Sequence, residues 1–273
     1  MTEKYFDLPG ADFTIRCKIY CSDSLIRARS AQSGPDLSAE ELTGGRFRRV
    51  VLFCHGFAGH RDNAMARTMA EKILASHDDT ALVIFNWPAH GDDAHECISL
   101  ADCDTYLDRV LSFVQEELQP RILDASATSF GGYLVLKYIR DHGEMPFRRL
   151  CLRCPAIVMH DVLMQTILTP EEIRAIETGG IVLSGFDRMT GITGAFLREL
   201  EAADLTKADY SPWSDRIRIA QGTSDELVPF AAVQSFAQKN RIEFLSVEGA
   251  DHRFTGPGQM DAVIASFMDY LGF

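Results

Sequence analysis

Hydrophobic and polar positions change rhythm several times along the chain, and each change predicts an element. Residues 4–8 and 13–20 read as two strands joined by a turn at Pro9-Gly10-Ala11-Asp12. Phe13, Ile15, Cys17 and Ile19 alternate with polar neighbours, the period-two pattern of a sheet edge with one buried face. Over residues 28–46 Ala, Ser, Gly, Pro and Asp dominate, which predicts a surface connection too short to be a domain linker. Val50-Val51-Leu52-Phe53-Cys54 is then a continuous apolar run, the mark of a strand buried on both faces. Residues 61–75 follow as a helix with Met65, Met69, Ile73 and Leu74 on one side. The alternation continues through strand Ala81-Leu82-Val83-Ile84-Phe85, helix 101–118, strand 122–127, helix 131–141 and strand Leu150-Cys151-Leu152, ended by Pro155. It resumes with strand 217–220, helix 229–239, strand 242–247 and helix 259–271. Strands alternating with helices predict an α/β fold, a mostly parallel sheet with helices on both faces.

Residues 157–212 break this rhythm with two or three helical patterns, punctuated by Gly179-Gly180 and Gly191. The expected organisation is a core domain of residues 1–156 and 213–273, with 157–212 as a small helical cap inserted after the sixth strand. A cap leaving the carboxyl side of a parallel sheet lies over the place where such sheets bind ligands. Met159, Met164, Phe186 and Met189 are therefore candidate substrate contacts, since methionine adapts to irregular apolar shapes.

Composition narrows the classes of partner. The chain has 273 residues, 46% of them hydrophobic, enough for a substantial core. A net charge of −12 excludes a nucleic-acid partner, which would need a basic surface. No apolar stretch is long enough to span a bilayer, and Met1 to Asp7 lacks the apolar run of a signal peptide. The seven cysteines, an odd number scattered among apolar neighbours, point to reduced thiols and a cytoplasmic location. Cys151 and Cys154 fit C-x-x-C, but inside a strand-like run and with no second pair they read as core thiols. His60, His77, His95, His142 and His160 show no ligand spacing, so neither a metal nor another cofactor is expected.

Four short motifs carry the chemistry. Strand 122–127 runs into Thr128-Ser129-Phe130-Gly131-Gly132, with Ala127 two residues before the serine and Gly131 two after. A sharp strand-to-helix turn needs such small residues, because it presses neighbouring backbone close together. Cys54-His55-Gly56-Phe57-Ala58-Gly59 follows a buried strand; its Phe57 N–H and that of Phe130 would form a two-donor oxyanion hole. Asp225 lies in a turn after strand 217–220, and His252 lies just past strand 242–247. Ser129, Asp225 and His252 thus fall in that order at the carboxyl ends of strands in one sheet. A serine hydroxyl is a poor nucleophile until a base takes its proton, and the histidine needs a carboxylate to fix its tautomer. Asp251 is the runner-up acid; extended backbone would point its side chain away from that of His252. His55 and His90 adjoin glycines and are expected to brace backbone, while Asp124, unusual within a strand, reads only as a partner for a basic residue.

These motifs, with Ala89-His90-Gly91-Asp92 and Gly249-Ala250-Asp251-His252, resemble the serine α/β-hydrolases over nearly the whole length. Within them the chain is most similar to bacterial cinnamoyl/feruloyl-type carboxylesterases. The resemblance implies an α/β-hydrolase fold, Ser129 as nucleophile, Asp225 as acid, His252 as base, and Phe57 and Phe130 as oxyanion donors. Two departures stand out: Ala127 replaces the family's usual glycine, and Thr128 stands where histidine is frequent. Asn86-Trp87-Pro88-Ala89 also differs from the family's approach to His90-Gly91. The expected activity is hydrolysis of a small-molecule carboxylic ester. A lipase, thioesterase or peptidase on the same fold, or a non-catalytic binding protein, remain the alternatives.

Overall fold

The computed structural model describes residues 1–23, 25, 47–185 and 188–273. The connection expected at 28–46 and the candidate contact Phe186 lie outside the described residues. Ten described strands make up two sheets. The large one contains β1 (Thr2–Pro9), β2 (Thr14–Cys21), β3 (Arg49–Cys54), β4 (Thr80–Phe85), β5 (Ile122–Thr128), β6 (Leu150–Arg153), β9 (Ile217–Gly222) and β10 (Glu243–Val247). The small one pairs β7 (Val182–Gly185) with β8 (Met189–Ile192).

Strand order in the large sheet is β1-β2-β4-β3-β5-β6-β9-β10. Only β2 runs against the others: it pairs antiparallel with both β1 and β4, and the remaining pairs are parallel. The apolar run in β3 explains its central place, because the pleat sends Val50, Leu52 and Cys54 to one core and Val51 and Phe53 to the other. Helices α1 (Ala64–Leu74) and α8 (Gln259–Leu271) cover one face through Met65, Met69, Ile73, Val263, Ile264 and Phe267. The opposite face is covered by α2 (Leu100–Ser112), α3 (Phe130–His142) and α7 (Phe230–Asn240). The expected 101–118 helix changes character on the way: beyond Ser112, residues Phe113–Leu118 widen into a π-helical turn that ends at Gln119, with φ 51°. No described helix is long and apolar enough to cross a membrane.

The 157–212 insertion is not wholly helical. It contains α4 (Met159–Val162), which runs into a π turn at Leu163–Ile167, then α5 (Pro170–Glu177) and α6 (Gly194–Ala202), with the β7–β8 hairpin between the last two. Thr169 and Glu172 close a capping box at the start of α5, with Pro170 in its first turn. The hairpin has a local reason that the helical reading passed over. Val182 and Ser184 are buried and Leu183 is exposed, a period of two rather than 3.6. β8 also gains partners outside the insertion: His95 N–H donates to Met189 O (2.7 Å), and Gly191 exchanges backbone bonds with Glu96 and Ile98. Those bonds tie the hairpin to the loop after β4.

Candidate active site

β5 ends in a backbone conformation that few residues accept. Ser129 has φ 51° and ψ −120°, and it precedes α3 without capping it, so its hydroxyl is not committed to the helix. The turn is held from three sides: Ser129 N–H donates to Arg153 O, and Ser129 O accepts from Tyr133 and Ala156. Gly131 has to be glycine, since a Cβ there would lie 2.4 Å from His55 O and 2.6 Å from Cys54 O. That contact presses the elbow against the loop after β3, and Gly56 of that loop sits under Ser129 Cβ. Gly132 faces Pro155 and Leu152, so the close approach it permits is to the end of β6 rather than to β5.

Ser129, Asp225 and His252 converge. His252 Nε2 lies 3.1 Å from Ser129 Oγ, and its Nδ1 lies 2.8 Å from Asp225 Oδ2 and 3.0 Å from Oδ1. The Asp225 carboxylate has no solvent exposure and the His252 side chain 8%. Burial alone would raise the Asp225 pKa. The hydrogen bond and charge of His252, the Val228 N–H and the Cys154 thiol outweigh it and hold the carboxyl below its ordinary range. Leu227 and Val228 N–H groups donate to Oδ1 (3.0 and 2.8 Å), and Gln221 Nε2 donates to Oδ2 (2.8 Å). The His252 loop is fixed at its backbone, with His252 N–H donating to Glu226 Oε2 (3.1 Å) and Arg153 Nη1 donating to His252 O.

Phe57 and Phe130 belong to the loop after β3 and to the elbow, two segments that the close approach at Gly131 presses together. Phe130 is the first residue of α3, so its N–H has no intrahelical acceptor. Phe57 lies in the tight turn closed by Gly59 N–H on Gly56 O (3.0 Å). Among the described residues neither N–H is tied to an acceptor. The two buried rings meet edge to face, with centroids 6.0 Å apart.

The other titratable residues fall into structural positions. Asp251 turns away to bond Thr255 N–H (2.9 Å) and the Thr255 hydroxyl. His55 Nδ1 is 2.8 Å from Gly56 O, and its Nε2 accepts from Trp87 N–H; His90 Nδ1 is 2.8 Å from Pro88 O. Burial lowers both pKa values, His55 well below the usual imidazole range and His90 to about 4, so both rings are neutral braces. The Ala89-His90-Gly91-Asp92 turn is anchored through Asn86, whose Oδ1 accepts from Arg61 N–H and whose Nδ2 donates to Asp92.

The three described candidate substrate contacts, Met159, Met164 and Met189, are scattered. Met159 is 2% exposed and lines a cavity of about 280 Å³ whose wall is mixed, apolar at Ile157 and Leu200 and charged at Asp161, Glu201, Asp204 and Lys207. Met164 is half-buried against the core, and Met189 on the hairpin is 38% exposed. Three neighbours of the triad escaped the sequence reading: Gln221, Arg153 and Cys154. Gln221 had one available signal, a polar residue next to last in its strand and four residues before Asp225.

Residues 51–266 match the family model described as the alpha/beta hydrolase family. No curated protein sequence matches the chain. Among solved structures, a putative hydrolase from Agrobacterium vitis superposes with a TM-score of 0.69 at 16% identity, covering 97% of each chain. Est1E from Butyrivibrio proteoclasticus, with ferulic acid bound, gives 0.68 at 14% identity over 98% of this chain and 99% of its own. A serine hydrolase of Xanthomonas campestris without a lid gives 0.60 at 13% identity over 99% and 94%. Identities this low carry the fold and not the substrate. An eight-stranded sheet with one reversed strand, an elbow serine between β5 and α3, and a family match over most of its length together show that this chain belongs to the alpha/beta hydrolase family.

Proposed function

We propose that the protein is a serine esterase that cleaves carboxylic esters through an acyl-enzyme intermediate. The observation that carries this reading is the continuous chain of contacts from Ser129 Oγ to His252 Nε2 and from His252 Nδ1 to Asp225. Ser129 Oγ attacks the ester carbonyl carbon as His252 Nε2 takes the hydroxyl proton. Asp225 keeps the ring proton on Nδ1, which leaves the Nε2 lone pair facing the serine, and stabilises the imidazolium that forms. Charge developing on the carbonyl oxygen is met by the Phe57 and Phe130 N–H groups. His252 then protonates the leaving alcohol. Water, activated by the same ring, attacks the acyl-enzyme and releases the acid.

Aromatic acyl groups of the hydroxycinnamoyl type are the substrates we favour. The motif resemblance to feruloyl-type carboxylesterases supports this choice, and ferulic acid is the ligand bound by Est1E, a neighbour in fold. The test is hydrolysis of p-nitrophenyl esters from acetate to decanoate beside methyl ferulate and methyl p-coumarate, with a thioester and an amide as comparators. Hydroxycinnamates should be turned over fastest, and Ser129→Ala should lose about a millionfold in kcat. Residual turnover near the wild-type rate in that variant, or failure of the wild type to label with a fluorophosphonate probe, would overturn the assignment. Labelling with activity confined to short p-nitrophenyl esters would retain the esterase and remove the aromatic preference.

A further inference from the structure

One side chain at the site takes no step in the proposed cycle and lends Asp225 only a hydrogen bond. Cys154 is fully buried at the end of β6, with a positive φ of 45°. Its C-x-x-C partner plays no part there, because Cys151 Sγ approaches Phe267 O (3.9 Å). Cys154 Sγ instead joins a carboxylate oxygen of Asp225 and a ring nitrogen of His252. These three ligand atoms lie within 4.8 Å of one another, and theirs is the one such grouping among the described residues. Thiolate, imidazole and carboxylate are the donors that Zn²⁺ takes, usually with water in a remaining position. Mg²⁺ and Ca²⁺ prefer several oxygens and find a single carboxylate here. We propose that Cys154, Asp225 and His252 form a binding site for a thiophilic divalent cation, Zn²⁺ foremost, whose occupation switches the triad off.

The proton balance explains the switch. The nitrogen that faces Asp225 is Nδ1. When the ion binds, the Cys154 S–H bond breaks, its proton passes to water and the thiolate sulfur donates an electron pair to the metal. The imidazole stays neutral, but its proton leaves Nδ1, now a ligand, and sits on Nε2. Nothing is oxidised or reduced. Nε2, 3.1 Å from Ser129 Oγ, then donates to the serine and has no lone pair with which to take its proton. Asp225 can remain in place, since the Leu227, Val228 and Gln221 donors hold it independently of His252. A coordinated thiol is deprotonated by the ion itself.

Binding does not depend on the esterase reading; only the loss of turnover rests on it, and the experiment separates the two. Chelator-treated full-length protein is titrated with Co²⁺, and the thiolate-to-cobalt charge-transfer band is recorded before and after addition of Zn²⁺. Hydrolysis of p-nitrophenyl acetate is measured across the same Zn²⁺ range. Wild type is compared with Cys154→Ala, Cys154→Ser and Cys97→Ser, the last removing a solvent-exposed thiol. The band should appear in wild type and Cys97→Ser, disappear when Zn²⁺ is added, and be absent from both Cys154 variants. The Zn²⁺ concentration for half-inhibition should rise by about a hundredfold in either Cys154 variant, the upper end of what loss of even an outer partner costs. Cys154→Ser keeps the comparison open should the alanine variant fail to fold. No thiolate band in folded wild type, or a band that survives in a Cys154 variant, overturns the site. A band with undiminished turnover overturns the switch. Absence of turnover on any ester would sink the esterase reading and leave the cobalt result to decide the site.

Discussion

Two carboxylates with no side-chain exposure, Asp124 and Asp225, stand at opposite ends of the same sheet and have opposite consequences. Asp124 lies near the start of β5. Arg49 Nε donates to it at 2.7 Å, Arg148 grips it with Nε and Nη2 at 2.9 and 2.8 Å, and Arg149 N–H adds a fourth bond. The same arginines reach the end of α8: Arg49 and Arg148 donate to Leu271 O, and Arg49 stacks on the Phe273 ring, 3.6 Å from its centroid. Asp225, past the end of β9, is held by uncharged N–H donors and a single imidazole. A guanidinium never gives up its proton, so the Asp124 cluster can only hold. An imidazole can both give up and take a proton, so the Asp225 cluster has the parts for proton transfer. The identity of the cation, rather than the burial of the carboxylate, separates a clamp from a candidate catalytic centre.

Breaking each carboxylate should therefore produce a different failure. Asp225→Asn should lower kcat about ten-thousandfold, because the amide no longer fixes the His252 tautomer, while the melting temperature changes little. Asp251→Asn is the paired control, and steady-state kinetics should show it near wild type. A reversed ranking would break the assignment of the acid.

Asp124→Ala should leave kcat per folded molecule intact and destabilise the protein by about 3 kcal/mol, since it strands the buried Arg49 guanidinium and takes a partner from the half-exposed Arg148. Urea unfolding followed by circular dichroism measures this. A kinetic defect without a stability defect would remove the contrast between the two ends.

The two ends should also differ in acid. His90, at the site end, is neutral in the folded protein down to about 4, against 6.5 for the unconstrained ring. Its pKa is depressed by folding, so the unfolded chain binds the proton first. Stability is fully present above about 6.5 and is lost as pH falls towards 4. Urea midpoints across that window should decline in wild type, and His90→Asn should flatten the slope. The arginines of the Asp124 clamp contribute no such dependence.

The smallest expected effect tests how finely Asp225 is positioned. Gln221→Met removes the Nε2 donor from Oδ2 and should lower kcat by about tenfold with KM unchanged. An equal change in KM would assign Gln221 to substrate binding instead.

Much of the fold was legible because it is written in local periodicity. The continuous apolar runs at Val50–Cys54 and Ala81–Phe85 became adjacent central strands, and Pro9-Gly10-Ala11-Asp12 became the turn of an antiparallel pair. The β7–β8 hairpin was missed because its strands are four residues each, Gly185 and Gly191 dilute their pattern, and part of their pairing partner is a loop ninety residues away in sequence. The candidate triad was legible for a different reason. Parallel topology delivers the carboxyl ends of successive strands to one edge, so order along the chain stands in for proximity. Substrate contacts had no such rule. Met159, Met164 and Met189 share a composition but not a surface.

The sequence by itself determined the strands of the large sheet and the helices that cover it, the order of Ser129, Asp225 and His252, and the small residues that a sharp turn at Ser129 requires. Tertiary structure alone decided that Asp124 is clamped by Arg49 and Arg148, that Cys154 adjoins Asp225, and that Arg153 holds the backbone of His252. The division follows from range. Backbone preference and hydrophobic period act over a few residues and can be read along the chain, whereas the partner of a buried polar group comes from whichever strand or loop packs beside it.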